Sequence, residues 1–395
     1  MSSTPNVPLD VVETIIDILA EDDTNFLSVK ASSLCCRAVL PFCRKHIYAS
    51  IDLNHSRTMQ PPSPTTSMLE QLLLANPELA DYIRKLDYRI IAEDFERPTL
   101  HSALRLITRL QSLLIWPIYL NRGYMFWNNS LRPALLHLLH LPTLVHLSLL
   151  SIRQFAVSDL TPCVNLKTLK MLNTTTVDAA ENFSSALPLK SIRLENLIVM
   201  DVGDSALELN KTRRSDGQFV IDLSDLVSVE VHLRQSQGLE TAQELFKRCG
   251  SLTSVCIYVS QPMTLTGLSR LLEPCMQTLR RLHVGINSDG FRDDLLFDLP
   301  SELDGMKHRN VIESITVHFT GAENCREGDW GWLDQELTSP GWSSLKQVYL
   351  SVDFEDYRQN FTELERTLLK LREEEFPRLT LSKDIQFDFE YSFNT

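Results

Sequence analysis

The chain has 395 residues, 43% of them hydrophobic and 23% charged, a balance that excludes general disorder and a length beyond one ordinary domain. Its 38 Lys and Arg against 51 Asp and Glu leave a formal charge of −13, the wrong sign for a general phosphate-backbone binder. The apolar runs "LLIWPIYL" and "LLHLLHLPTLVHLSLLSI" are too short and too polar, respectively, to cross a bilayer, so neither nucleic acid nor membrane is an expected partner.

The chain opens on "PLDVVETIIDILAE", which places Val11, Val12, Ile15, Ile16 and Leu19 on one helical stripe. A second helical spacing follows through Phe26, Leu27, Ala31, Leu34, Cys35, Ala38 and Val39, and "RKHIYASIDL" then alternates toward a short extended end. Residues 1–53 therefore form a small helical unit near the lower limit for a stable core, one that leans on a partner or on the rest of the chain. Residues 54–67 are rich in Pro, Ser and Thr and form a linker. Ser67 with Glu70 predicts a capped helix after it.

From residue 68 to residue 395 a loose L-x-x-L-x-L motif keeps returning. It reads "IRKLDY", "LQSLLI", "LVHLSL", "LKTLKM", "LKSIRL", "LVSVEV", "LTSVCI", "LRRLHV", "IESITV" and "LKQVYL", at intervals of 22 to 37 residues. Helical patterns fill the gaps: "TLHSALRLITRL", "SLRPALLHLLH", "VDAAENFSSAL", "GLETAQELFKRCG" and "YRQNFTELERTLLKLREEEF". Short strands alternating with helices at this period predict an α/β fold of the solenoid kind, an irregular leucine-rich-repeat array with parallel strands on the concave face and helices outside. A doubly wound sheet would need a Gly-rich phosphate turn, and the chain has none.

Reactive chemistry is not expected. The eight cysteines are irregularly spaced without a CxxC, which fits reduced thiols in cytosol or nucleus. His137, His140 and His146 sit among leucines and read as structural histidines, not as zinc ligands. The acidic "SDGFRDDLLFD" lacks the alternating oxygen ligands of a calcium loop. No P-loop, G-x-S-x-G, H-E-x-x-H or G-x-G-x-x-G occurs. No catalytic residue, metal or cofactor is expected, and the chain does not read as an enzyme.

The first 53 residues resemble an F-box. Pro8, Leu9 and Asp10 lead into the apolar helix of Val12, Ile15 and Ile16; Leu34, Cys35, Cys36 and Arg37 match the end of the second helix; Ile47, Tyr48, Ile51 and Leu53 match the closing segment. Val7, Cys35 and Val39 depart from the family's Leu, Val and aromatic residue. "LPFCRKHIYASIDL" and "NPELADYIRKLDY" look especially like fungal F-box proteins in which an irregular leucine-rich domain follows. The resemblance implies docking on a Skp-type adaptor and, through it, on a cullin–RING ubiquitin ligase. Expected adaptor contacts are Pro8, Leu9, Val12, Ile15, Ile16, Leu34 and Cys36; contact and core cannot be separated among them at this level.

In such an array the leucines point inward and the interleaved residues line the other face of each strand. Among those, Arg89, Trp116, His146, Lys170, Arg193, His232, Tyr258, Arg281, His283, His318 and Tyr349 are the expected client-binding residues. The whole stripe, read in this register, carries more Lys and Arg than Asp and Glu, which suits an acidic or phosphorylated segment. Two readings stay open: a substrate-recognition subunit of an SCF-type ligase, or a leucine-rich interaction scaffold whose F-box no longer engages one.

Overall fold

A computed structural model describes residues 8–22, 26–53, 65–118, 124–177, 190–200, 204–234, 236–260, 265–287, 298–320, 330–355, 368, 370 and 373–394. The expected helices "VDAAENFSSAL" and "YRQNFTELERTLLKLREEEF", the linker and the acidic "SDGFRDDLLFD" lie mostly or wholly outside these residues. The chain divides into two units at Leu166.

The first unit begins with helices α1 (Leu9–Asp22), α2 (Leu27–Ser33) and α3 (Leu40–Ile47). Their core is small: Ile16, Val29 and Cys43 are buried, with Val12, Leu19, Ala20, Phe26, Val39, Phe42 and Ile47 packed around them. Polar contacts clamp α3 to α1, where Lys45 Nζ lies 3.2 Å from Glu13 and His46 Nε2 2.6 Å from Asp17. The chain then runs directly into strand β1 (Ser50–Leu53), followed by β2 (Lys85–Ile90), β3 (Ser112–Pro117) and β4 (His146–Leu150). These pair in parallel in sequence order, with Leu53 opposite Tyr88, Tyr88 opposite Ile115 and Ile115 opposite Leu149. The closing segment of residues 1–53 is thus the first strand of a sheet, and the expected boundary after residue 53 falls at that strand's end.

Helices α4 (Thr66–Ala75), α5 (Pro98–Arg105) and α6 (Arg132–Leu139) come between the strands in sequence and touch one another in order. The cap of α4 lies two residues before the expected one. Thr65, not Ser67, is extended at the N-cap and its hydroxyl accepts the Met68 N–H at 3.3 Å. Trp127, Arg132 at the start of α6, and Asp159 form a polar knot. Trp127 Nε1 donates to Asp159 Oδ2 at 2.6 Å, and Arg132 Nη2 donates to both carboxylate oxygens at 3.1 Å.

The second unit carries β5 (Thr168–Leu172), β6 (Asn196–Met200), β7 (Ser228–Leu233), β8 (Ser254–Ser260), β9 (Arg281–Asn287), β10 (Ser314–Thr320), β11 (Gln347–Glu355) and β12 (Gln386–Asn394). Each pairs in parallel with the next. Described helices α7 (Asp204–Lys211), α8 (Ser236–Phe246), α9 (Leu268–Leu272), α10 (Leu299–Asp304), α11 (Trp330–Leu337) and α12 (Pro377–Leu381) likewise touch in succession. Leu169, Leu197, Val229, Val255, Leu282, Ile315 and Val348 make one buried row across seven strands. Burying each such side chain contributes about 1.5–3 kcal/mol, and the row binds the seven strands into one core.

The α/β class and its parallel strands are therefore as expected. One register is not. "LKSIRL" does not supply the strand at its expected place; the overlapping "LENLIV" does, with Leu194 leading and Leu197 and Val199 buried. The spacings of 23 and 37 residues on either side become 28 and 32 between strand starts, at 168, 196 and 228. Ile192–Arg193 instead makes a two-residue pairing with Ile221–Asp222.

Candidate functional site

Two surfaces carry the residues singled out by sequence. The first is the helical front end. Along α1 the buried side follows Val12, Ile16 and Leu19, because those side chains meet α2 and α3. One hundred degrees away around the helix, Val11, Ile15 and Ile18 form an exposed apolar stripe at i, i+4, i+7 spacing. Leu34 at the end of α2 is 87% exposed, Leu9 55% and Ile15 49%, whereas Ile16 is 3% exposed. Of the expected contacts, Pro8, Leu9, Ile15, Leu34 and Cys36 thus face solvent, and Val12 is half-buried against the core. Ile16 is corrected to a core residue: its side chain is already spent on Val29 and Cys43. Val11, Ile18 and Leu27 belong to the exposed apolar set and were missed, although Val11 stood on the expected stripe. Six large exposed aliphatic side chains on so small a unit exceed what scattered surface residues explain.

The thiols of the front end divide in the same way. Cys43 is buried in the core, while Cys35 and Cys36 are exposed. Burial pushes the Cys43 thiol up, and it pushes Cys163, Cys249 and Cys275 elsewhere up to about 12, which makes these inert packing groups. No disulfide occurs among the described residues. Among those residues, too, no group of three or more His, Cys, Asp or Glu is placed to hold a metal, and no helix is long and apolar enough to cross a membrane.

The second surface is the interleaved face of the strands. Burial alternates along nearly every strand, as in β8 and β10, with the leucine-type positions buried and the intervening ones half-exposed. In the first unit this face presents Lys85, Asp87, Arg89, Trp116 and His146. Arg89 lies with its guanidinium carbon 5.1 Å from the centre of the Trp116 ring and its Nε 3.8 Å from Asp52. His137 and His140, by contrast, donate from Nε2 to backbone carbonyls of Ile107 and Asp159, at 3.1 and 2.9 Å, and are structural.

In the second unit, pairing sets the interleaved residues in rows. One row runs Lys170, Ile198, Glu230, Cys256, His283, Thr316, Tyr349, Asp388. The next runs Met200, His232, Tyr258, Gly285, His318, Ser351, Glu390. The rings form a continuous file: His232 stacks on Tyr258 at 4.4 Å and 21°, Tyr258 meets His283 at 5.4 Å, and His283 meets His318 at 6.4 Å. Gly285 makes room for the file, since a Cβ there would stand 2.1 Å from Tyr258 Cδ1. A Gly285→Ala chain is expected to push Tyr258 off His232 and to lose about 1 kcal/mol, the lower end of overpacking costs, read from a shifted urea midpoint and a changed near-ultraviolet circular dichroism band.

Seven expected client-binding residues of this unit (Lys170, His232, Tyr258, Arg281, His283, His318 and Tyr349) stand on this face. Arg193 does not. It lies on the separate two-residue pairing, with its Nη1 3.4 Å from Asp225 and its Nε 3.8 Å from Asp222. With Arg193 and Glu195 removed, β11 carried on to Asp353 and β12 added, the charge of the face inverts. Two cations, Lys170 and Arg281, oppose four carboxylates: Glu230, Asp353, Asp388 and Glu390. The basic surface expected from sequence is, in this unit, an acidic one.

The His232 hydrogen bond at 2.9 Å holds Glu230 below the usual carboxylate range. Burial holds the His283 imidazole below its ordinary value of 6.5, with His318 adding repulsion, and burial does the same to His140. Both groups resist protonation when folded, so the unfolded chain binds more protons just below pH 6.5. Stability is therefore expected to be full above about pH 6.5 and to fall as pH drops through the lowered values. Denaturant unfolding at stepped pH between about 7.5 and 5.5 checks this, the loss being shallower in a His140→Gln chain.

No known family model matches the chain, and no curated protein does.

Proposed function

We propose that the chain is the substrate-recognition subunit of an SCF-type cullin–RING ubiquitin ligase: the front end clips to a Skp-type adaptor, and an irregular leucine-rich-repeat solenoid selects the client protein. The observation that carries the adaptor half is the separation of two apolar sets on one small helical unit. Ile16, Val29 and Cys43 make its core, while Leu9, Val11, Ile15, Ile18, Leu27 and Leu34 stay exposed. A unit with so few buried side chains gains from a partner that covers the second set. The F-box resemblance of residues 8–53 names that partner. The solenoid half is supported by strand order: within each unit every long strand pairs with its neighbours in sequence, and successive helices touch. A doubly wound sheet reverses its strand order at a switch point, and no such reversal occurs within either unit.

Co-expression of the full chain with a Skp-type adaptor tests the proposal. The parent is expected to elute with the adaptor from a sizing column, and a Leu9→Asp, Leu34→Asp chain is expected to elute alone. Co-elution of both chains, or of neither, rejects the adaptor half.

A further inference from the structure

The C-terminal part of the second unit's face differs from the rest in one respect: its carboxylates lack compensating cations. Asp353 Oδ2 lies 3.3 Å from His318 Nε2, and its Oδ1 accepts the Ser392 hydroxyl at 2.6 Å. Glu390 accepts the Tyr349 hydroxyl at 2.5 Å, and Asp388 accepts the Gln386 amide at 2.9 Å. Among the described residues no lysine or arginine pairs with any of the three. Elsewhere the chain behaves differently, as Glu313 shows between Arg280 and Lys346 at the starts of the strands. Arg281, which faces this way from β9, stands at the strand start, while Asp353 stands six residues into β11, and the exposed Arg234 follows directly on β7. The carboxylates of this face thus gather on β11 and β12.

The carboxylates do not stand alone. The ring of Tyr349 is tied to Glu390, and the file His232, Tyr258, His283, His318 leads up to Asp353. Carboxylates beside aromatic rings suit long cationic side chains, whose heads seek the charge and whose stems or guanidinium planes lie on the rings. Such a surface repels an acidic or phosphorylated segment.

We infer that this part of the face, over Tyr258, His318, Tyr349, Asp353, Asp388 and Glu390, receives a lysine- and arginine-rich segment of the client protein. The inference rests on the reading of the second unit as a client-binding surface, and it sets the chemistry of the client. Its test is independent of the adaptor.

Fluorescence anisotropy with the full chain measures binding of two labelled twelve-residue probes, one alternating Lys and Arg with Gly and Ser, the other carrying Asp and Glu in their place. The basic probe is expected to bind, and to bind more weakly as salt rises from about 0.05 to about 0.3 M. Asp388→Asn with Glu390→Gln is expected to weaken it about tenfold, each exposed charge contributing up to a few-fold. A control chain with Glu244→Gln and Glu273→Gln changes net charge equally at exposed helical positions and is expected to leave affinity within about twofold. Equal loss in both chains, no change in the first, failure of the basic probe to bind, or preference for the acidic probe would each overturn the inference. Unchanged adaptor capture by all these chains separates its failure from that of the front-end reading and reports that they are folded.

Discussion

An Asp159→Ala chain is expected to unfold about 3 kcal/mol more easily than the parent, the scale of breaking a buried ion pair from one side. Asp159 is 1% exposed and accepts from both Trp127 Nε1 and the Arg132 guanidinium. Its removal takes the carboxylate away from Trp127 and Arg132 at once. Trp127, itself fully buried, has no water to turn to. Arg132 keeps an 18% exposed side chain and recovers part of its hydration, which holds the expected loss at the lower end of the range. A chain with Asp159→Leu and Arg132→Met is expected to lie closer to the parent than Asp159→Ala does, because a pair replaced by apolar groups leaves no unpaired charge. Urea unfolding of the three chains measures both differences, and a double variant less stable than the single one would reject this account of the knot.

The second large effect separates adjacent residues. Ile15→Asp is expected to leave thermal stability nearly unchanged and to weaken adaptor binding about a hundredfold, since an exposed isoleucine covered by a partner carries roughly 1.5–3 kcal/mol. Ile16→Asp is expected to do something else. It sets an unpaired carboxylate against Val29 and Cys43, at a cost of several kcal/mol that a core of three buried side chains cannot absorb. Adaptor binding is then lost through unfolding of the front end. Circular dichroism melting beside titration calorimetry with a Skp-type adaptor distinguishes the outcomes. Equal behaviour of the two chains would mean that core and contact are not divided along this helix.

The strand array was legible because its signal is redundant. Nine of the ten leucine-spaced anchors are followed, two residues on, by the start of a long strand, since a buried residue at every second position leaves a period that survives imperfect spelling. The tenth failed where two spellings overlap, "LKSIRL" and "LENLIV", five residues apart. Only the pairing of Asn196 with Thr168 and Ser228 decides between them. Strands β1 and β12 escaped the repeat for chemical reasons. Tyr48 stands where the first leucine belongs in "YASIDL", and β12 fills its inward positions with Phe387 and Phe389. These omissions also misled the charge of the face. A β11 read only to Ser351 and a missed β12 left out Asp353, Asp388 and Glu390, whereas the misplaced register brought in Arg193 and Glu195 together. Shortened strands, not the register, changed the sign of the surface while leaving the fold class intact. The front end shows a different limit. Ile15 and Ile16 are alike in the sequence, and only the position of α2 and α3 tells which one is inside. Buried carboxylates at Asp159 and Asp334 gave no sign of themselves, because the donors they serve are distant in sequence, such as the Leu379 N–H, 2.8 Å from Asp334.

Because β1 closes the helical front end and also borders the sheet, the two cannot be exchanged like beads on a string. Leu53 is wholly buried and lies opposite Tyr88, so deleting the front end through Leu53 would uncover a wall of the first unit's interior. A chimaera that grafts this front end onto another protein should carry the chain through Leu53 and supply a strand to receive it. Anything gripping α1 then holds the first unit by a stiff joint, and the bearing of its sheet is fixed at the grip instead of swinging on a tether.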